Sequence, residues 1–114
     1  MSDKITINEL ADKIHTNAVN HGFHDKSLDL FIAETTANIH GEVSEFWEAY
    51  RHGKLNEQCD KPCGLTCQEE ELADIVIRAL DTMKRLGIND PEKVIMAKHQ
   101  YNVTRPYKHG GKIA

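Results

Sequence analysis

Four carboxylates occur in two short copies of one pattern. Glu42 and Glu45 make E-x-x-E, and Glu71 and Asp74 make E-x-x-D. On an α-helix, residues three apart are separated by about 60° of arc, so each pair can aim two oxygens the same way. Asp74 is set among Leu72, Ala73, Ile75, Val76 and Ile77. A carboxylate in such surroundings is costly unless something balances its charge. If the two pairs converge, their mutual repulsion raises the pKa values and protons are taken up, unless a cation is present. Mg²⁺, with Mn²⁺ as the alternative, suits an all-oxygen donor set and often completes its shell with substrate phosphates. No His or Cys shares the stripe, so zinc is not favoured there. A single E-x-x-E is ordinary on a solvated helix. Two pairs, each flush against a wide apolar face, point to Glu42, Glu45, Glu71 and Asp74 as metal ligands.

The elements that must carry these residues are helical. Ile7, Leu10, Ala11, Ile14 and Ala18 recur at helical spacing, with Gly22 as a stop. A longer helix is predicted from about Ser27 to His52, closed by Gly53. Gly41 within it costs about 1 kcal/mol relative to alanine, a cost that close packing or room for a ligand can offset. Thr66 and Glu69 form a capping-box pattern that opens a third helix running to about Leu86, before Gly87. Asp90, Pro91 and Glu92 open a fourth, which ends near Thr104 because Pro106 disfavours helix at Arg105. No strand alternation is present. The expected fold class is therefore all-α, a four-helix bundle-like chain.

On the third helix, Glu71, Asp74, Arg78 and Asp81 fall within an arc of roughly 80°. Leu72, Val76, Leu80 and Met83 lie opposite, with Ile75, Ala79 and Leu86 widening the apolar face. On the second, Asn38 and Glu34 extend the Glu42/Glu45 stripe beside Ile39, Val43, Phe46, Trp47 and Tyr50. Antiparallel packing of these two helices would bring all four acids together. One chain has little to cover the outer flanks of Phe46, Trp47, Ile75 and Leu86. The bundle is thus expected to be completed by homo-oligomerisation, as a dimer or tetramer. Phe46 and Trp47 are read as core or interface residues rather than as a stacking platform.

The chain has 114 residues, which suits one domain over 1–114, with 105–114 as a basic C-terminal tail. Hydrophobic residues at 39% and charged residues at 28% argue against global disorder. A net charge of -4 offers no overall basic excess for a nucleic-acid partner. No apolar run reaches the roughly 20 residues that span a bilayer, and the first residues lack a signal-peptide apolar stretch. A cytoplasmic protein without a membrane or nucleic-acid partner is the expectation.

Cys59, Cys63 and Cys67 share one loop and are spaced unlike a zinc knuckle. Free thiols are the favoured reading; a structural zinc with His52 is the other. Lys98, Asn102 and Arg105 recur along one face of the fourth helix. Lysine supplies a point charge for phosphate, arginine a two-pronged grip, and asparagine a donor and acceptor for a base or sugar. By residue type alone Lys98 and Arg105 are ordinary surface residues. In the tail, Lys108, His109 and Lys112 flank Gly110 and Gly111, which either fold over a phosphate chain or fray. Arg78 either reaches a phosphate or, as favoured, pairs with Asp81 or Asp74.

The ordered set E-x-x-E, then E-x-x-D, within "GEVSEFWEAYRHGK", "EEELADIVIRALDTMKRLGI" and "KHQYNVTRPYKHGGK", resembles the MazG-like branch of the all-α nucleoside triphosphate pyrophosphohydrolases. The likeness runs from Ile39 to the end and only weakly includes the first helix. It implies a Mg²⁺-dependent hydrolase that cleaves a nucleoside triphosphate between the α and β phosphates, releasing monophosphate and pyrophosphate, with a house-cleaning role in the nucleotide pool. It implies metal binding by Glu42, Glu45, Glu71 and Asp74. It also implies nucleotide contacts from the Lys98, Asn102 and Arg105 segment, and self-association. Glu45 is taken as the carboxylate nearest the attacking water. Asn38, Arg78, Lys108 and His109 complete the expected substrate contacts. The cysteine loop departs from the family pattern. The alternatives are a dUTPase-like or phosphoribosyl-ATP pyrophosphohydrolase activity, or a non-enzymatic helical oligomer binding structural divalent ions.

Overall fold

Each helix begins where the sequence places a side-chain oxygen to receive its first free N–H groups. In the computed structural model, which describes residues 4–108, these helices are α1 (Ile7–Asn20), α2 (Leu28–Arg51), α3 (Cys67–Arg85) and α4 (Pro91–Thr104). Thr66 accepts from the Glu69 N–H and Glu69 accepts from the Thr66 N–H, completing the expected capping box. Thr6 and Glu9 form a second box at the start of α1. Ser27 caps α2 by accepting from the Leu30 N–H. Asp90 caps α4 ahead of Pro91. Gly53 and Gly87 follow α2 and α3 at φ of 68° and 83°, a left-handed turn that a Cβ would strain. Arg105 is extended, as the following proline requires. The described residues contain helices and one isolated bridge between Gln58 and Thr66, so the all-α expectation holds.

The helix order in space follows from side-chain pairs. Thr35 meets Thr82 at 3.0 Å, and Glu42 lies 3.8 Å from Arg78. Rising numbers on α2 thus face falling numbers on α3, and the two run antiparallel. The same holds for α1 and α3, where His15 meets Asp81 and Asp12 meets Lys84. α3 therefore lies between α1 and α2. α4 packs chiefly on α1. Asn8 joins their N-termini: it donates from Nδ2 to Asp90, accepts from the Glu92 N–H, and gives its own N–H to the Glu92 carboxylate.

The buried apolar set is small, with Ala11, Phe31 and Leu80 at the helix crossings. The outer apolar face is open. Trp47 is 54% exposed and rests on Tyr50 with ring centroids 5.5 Å apart, so in the single chain it is not a core residue. Leu72 and Val76 are also exposed. A Cβ at Gly41 would meet nothing within 4 Å, so close packing within the chain does not account for that glycine. No helix of the described residues is long and apolar enough to cross a membrane.

Candidate metal centre

The antiparallel register of α2 and α3 decides where the acids go. Glu42 and Glu45 descend α2 while Glu71 and Asp74 ascend α3. One carboxylate oxygen each from Glu42, Glu45 and Glu71 lies within 4.8 Å of the other two. Asp74 stands beside Glu42 and Glu45 beside Glu71, each pair close enough to share a proton. Such carboxylate pairs hold together only when a proton lies between them. Burial, the Asp74 hydrogen bond and the Asp74 charge push Glu42 up to about 7, against the weaker opposing pull of Arg78. Burial and Glu45 push Glu71 up to about 7 as well. The upward shifts are the mark of like charges drawn into one place, which a proton or a bound cation relieves.

The donor set fits a hard divalent ion. It is all carboxylate oxygen, and small rotations bring oxygens at this spacing to the contacts that Mg²⁺ or Mn²⁺ requires. A second grouping, of His15, His24 and Asp81, also places three ligand atoms together. Its hydrogen bonding argues against a metal. Arg85 can only donate, and it donates to His24 Nδ1 at 3.1 Å. His24 Nε2 must then carry the ring proton, which it gives to Asp81 at 2.8 Å. That nitrogen has no free lone pair for an ion. Arg85 also donates to the carbonyls of His24 and Lys26, locking the α1–α2 connection onto α3.

A cavity of about 630 Å³ opens beside the carboxylates. Asn38, Glu42, Glu45, Asp74 and Arg78 all line it. Glu71 does not, although one of its carboxylate oxygens lies within 4.8 Å of those of both Glu42 and Glu45. Arg78 pairs with Glu42 at 3.8 Å, not with the expected Asp81 or Asp74. The reason is the α2–α3 crossing, which puts Glu42 across from Arg78 while Asp81 turns to the two histidines.

Lys98, Asn102, Arg105 and Lys108 are not among the lining residues. α4 packs on α1, and Lys98 and Arg105 place their cations over the Tyr101 ring at 4.9 and 5.8 Å. His109 lies outside the described residues. The basic groups on the cavity wall are instead Lys13, Lys26, Lys61 and Arg78. Lys61 is held charged by Glu70, at 2.7 Å, and by Asp60. No pattern in the sequence marks Lys13, Lys26 or Lys61, since each is a single lysine brought in by a crossing or a loop. Asp81 was visible on the polar stripe, but its histidine partners, 57 and 66 residues away in sequence, were not.

The cysteine loop holds free thiols. Among the described residues, neither three-ligand grouping contains a cysteine. His52 turns to Glu48 at 3.4 Å, so the zinc alternative loses its fourth ligand as well. No protein family, curated protein or solved structure matches the chain in comparisons with each. The site therefore stands on its own geometry.

Proposed function

We propose that the chain is a divalent-cation-dependent nucleoside triphosphate pyrophosphohydrolase. The observation that carries this reading is the convergence of Glu42, Glu45 and Glu71, with Glu42, Glu45 and Asp74 on the wall of a cavity that also presents basic side chains. The sequence likeness to the MazG-like hydrolases points the same way. Acids alone repel a triphosphate, and a cation between them reverses the sign of the contact.

Mg²⁺ held there would offset phosphate charge and make a coordinated water more acidic. The chain's own residues supply the rest. Arg78 and Lys61 offer donors to phosphate oxygens, Arg78 with two parallel hydrogen bonds. Glu45 is exposed on the cavity side, where it can accept the proton of the water that attacks the α-phosphorus. Asn38 faces the same space and suits a sugar hydroxyl or base edge. A second copy covering the open face of Trp47, Leu72 and Val76 is part of the proposal. Lys98, Asn102 and Arg105 would then act at a partner's site and not at their own.

The test is direct. Each nucleoside and deoxynucleoside triphosphate is incubated with the protein and Mg²⁺, and monophosphate and pyrophosphate are measured. Turnover of at least one, lost by about a hundredfold or more in Glu71→Gln, is expected, equivalent to about 2.7 kcal/mol of barrier. Absence of turnover for all of them, in folded protein of every assembly state, refutes the reading. Hydrolysis of dUTP alone would narrow it to a dUTPase.

A further inference from the structure

Two thiols in the connection between α2 and α3 lie in contact, outside the carboxylate site. Cys59 Sγ and Cys63 Sγ are 3.2 Å apart. Cys59 is buried at 7% exposure, while Cys63 is exposed. The approach is built into the loop backbone. The Cys59 N–H donates to the Leu65 carbonyl at 2.8 Å, so the chain returns on itself between these residues. The Cys63 N–H donates to the Lys61 carbonyl at 2.8 Å, and the Cys59 thiol donates to the same oxygen at 3.3 Å. Gly64, at φ of 77°, provides the left-handed step just after Cys63. Cys67 sends its sulfur elsewhere, to the Gln58 carbonyl at 4.0 Å.

We propose that Cys59 and Cys63 form a reversible dithiol–disulfide modification site whose oxidant is a small-molecule disulfide. The exposed Cys63 reacts first. Its thiolate attacks one sulfur of the oxidant, forming a mixed disulfide and releasing one small thiol that takes the Cys63 proton. Cys59, already in contact, then loses its proton and attacks the Cys63 sulfur. The Cys59–Cys63 bond forms, and the second small thiol departs with that proton. Two protein thiols are oxidised and one small disulfide is reduced to two thiols, so the exchange balances.

Reaching a sulfur–sulfur bond of about 2.05 Å needs a closure of only about 1.2 Å. The ring encloses just three residues, so closing it removes little unfolded-chain entropy, and the bond stays reducible. Lys61 sits between the two cysteines and on the cavity wall. The bond therefore closes at the rim of the carboxylate site, although the proposal does not rest on the nucleotide reading.

The full chain, freshly reduced, is exposed to oxidised glutathione, quenched by alkylation, and examined by intact mass and peptide mapping. The expected product has lost two hydrogen atoms and gained a single alkyl group, carries a Cys59–Cys63 bond and an alkylated Cys67, and its disulfide opens again with a dithiol reductant. Cys59→Ser should stop at a glutathione adduct on Cys63. Cys63→Ser should react at least about tenfold more slowly, because its remaining partner thiol is buried. A lasting glutathione adduct on Cys63 in the unaltered chain, or a bond to Cys67, would overturn the proposal. So would an unchanged rate in Cys63→Ser.

Discussion

Replacing Glu42 by glutamine should make the cation-free protein more stable at slightly alkaline pH. Glu42 is pushed from 4.5 to about 7 by burial and by Asp74. The folded state therefore binds its proton more tightly than the unfolded state does. Between about pH 4.5 and about pH 7 the folded form holds more protons, so stability falls as pH rises through that window. The full stabilising contribution is present below it and lost above it. Each pKa unit corresponds to about 1.4 kcal/mol, so the loss at Glu42 approaches about 3 kcal/mol as an upper limit. Glutamine keeps a donor for Asp74 and carries no charge, so the variant escapes this loss. Urea unfolding, followed by helical circular dichroism in chelator, should show the variant more stable by about 2 kcal/mol near pH 8 and close to equal near pH 4.5. Saturating Mg²⁺ should reverse the order: at a hundred times its dissociation constant it adds about 2.7 kcal/mol to the unaltered chain and little to the variant. A variant no more stable than the parent near pH 8, together with a parent whose stability is flat across the window, would refute the reasoning.

Three further outcomes follow from the packing. Gly41→Ala should stabilise the isolated chain by about 1 kcal/mol in urea unfolding, because a Cβ there meets nothing and alanine is the better helix former. A lower midpoint at concentrations where the chain self-associates would mean that a second copy packs on this glycine. Asn8→Ala removes the two side-chain bonds that join the starts of α1 and α4, keeps the backbone bond to Glu92, and should cost about 1–2 kcal/mol with faster amide exchange in α4. Arg85→Lys keeps the charge but loses the fork that holds the His24 and Lys26 carbonyls. It should lower stability by about 1–2 kcal/mol, and no change would show that α1 and α2 are positioned without it.

What the sequence alone determined is local. Thr66–Glu69, Ser27, Asp90–Pro91 and the glycines after α2 and α3 act within a turn of their own position, so residue order was enough to place the helix ends. The T-x-x-E at Thr6 is equally legible in residue order. The two carboxylate pairs were likewise readable, because a three-residue spacing sets their common face. Tertiary structure decided everything that depends on how helices cross. It set Glu42 against Asp74 and Arg78, and turned Asp81 toward His15 and His24. It left Trp47 half in the open and carried Lys98, Asn102 and Arg105 away on α1's side. Periodicity along one helix states which residues share a face; it carries no information on which other helix that face meets. That choice depends on apolar burial summed over the whole chain, here with Phe31 and Leu80 at its centre.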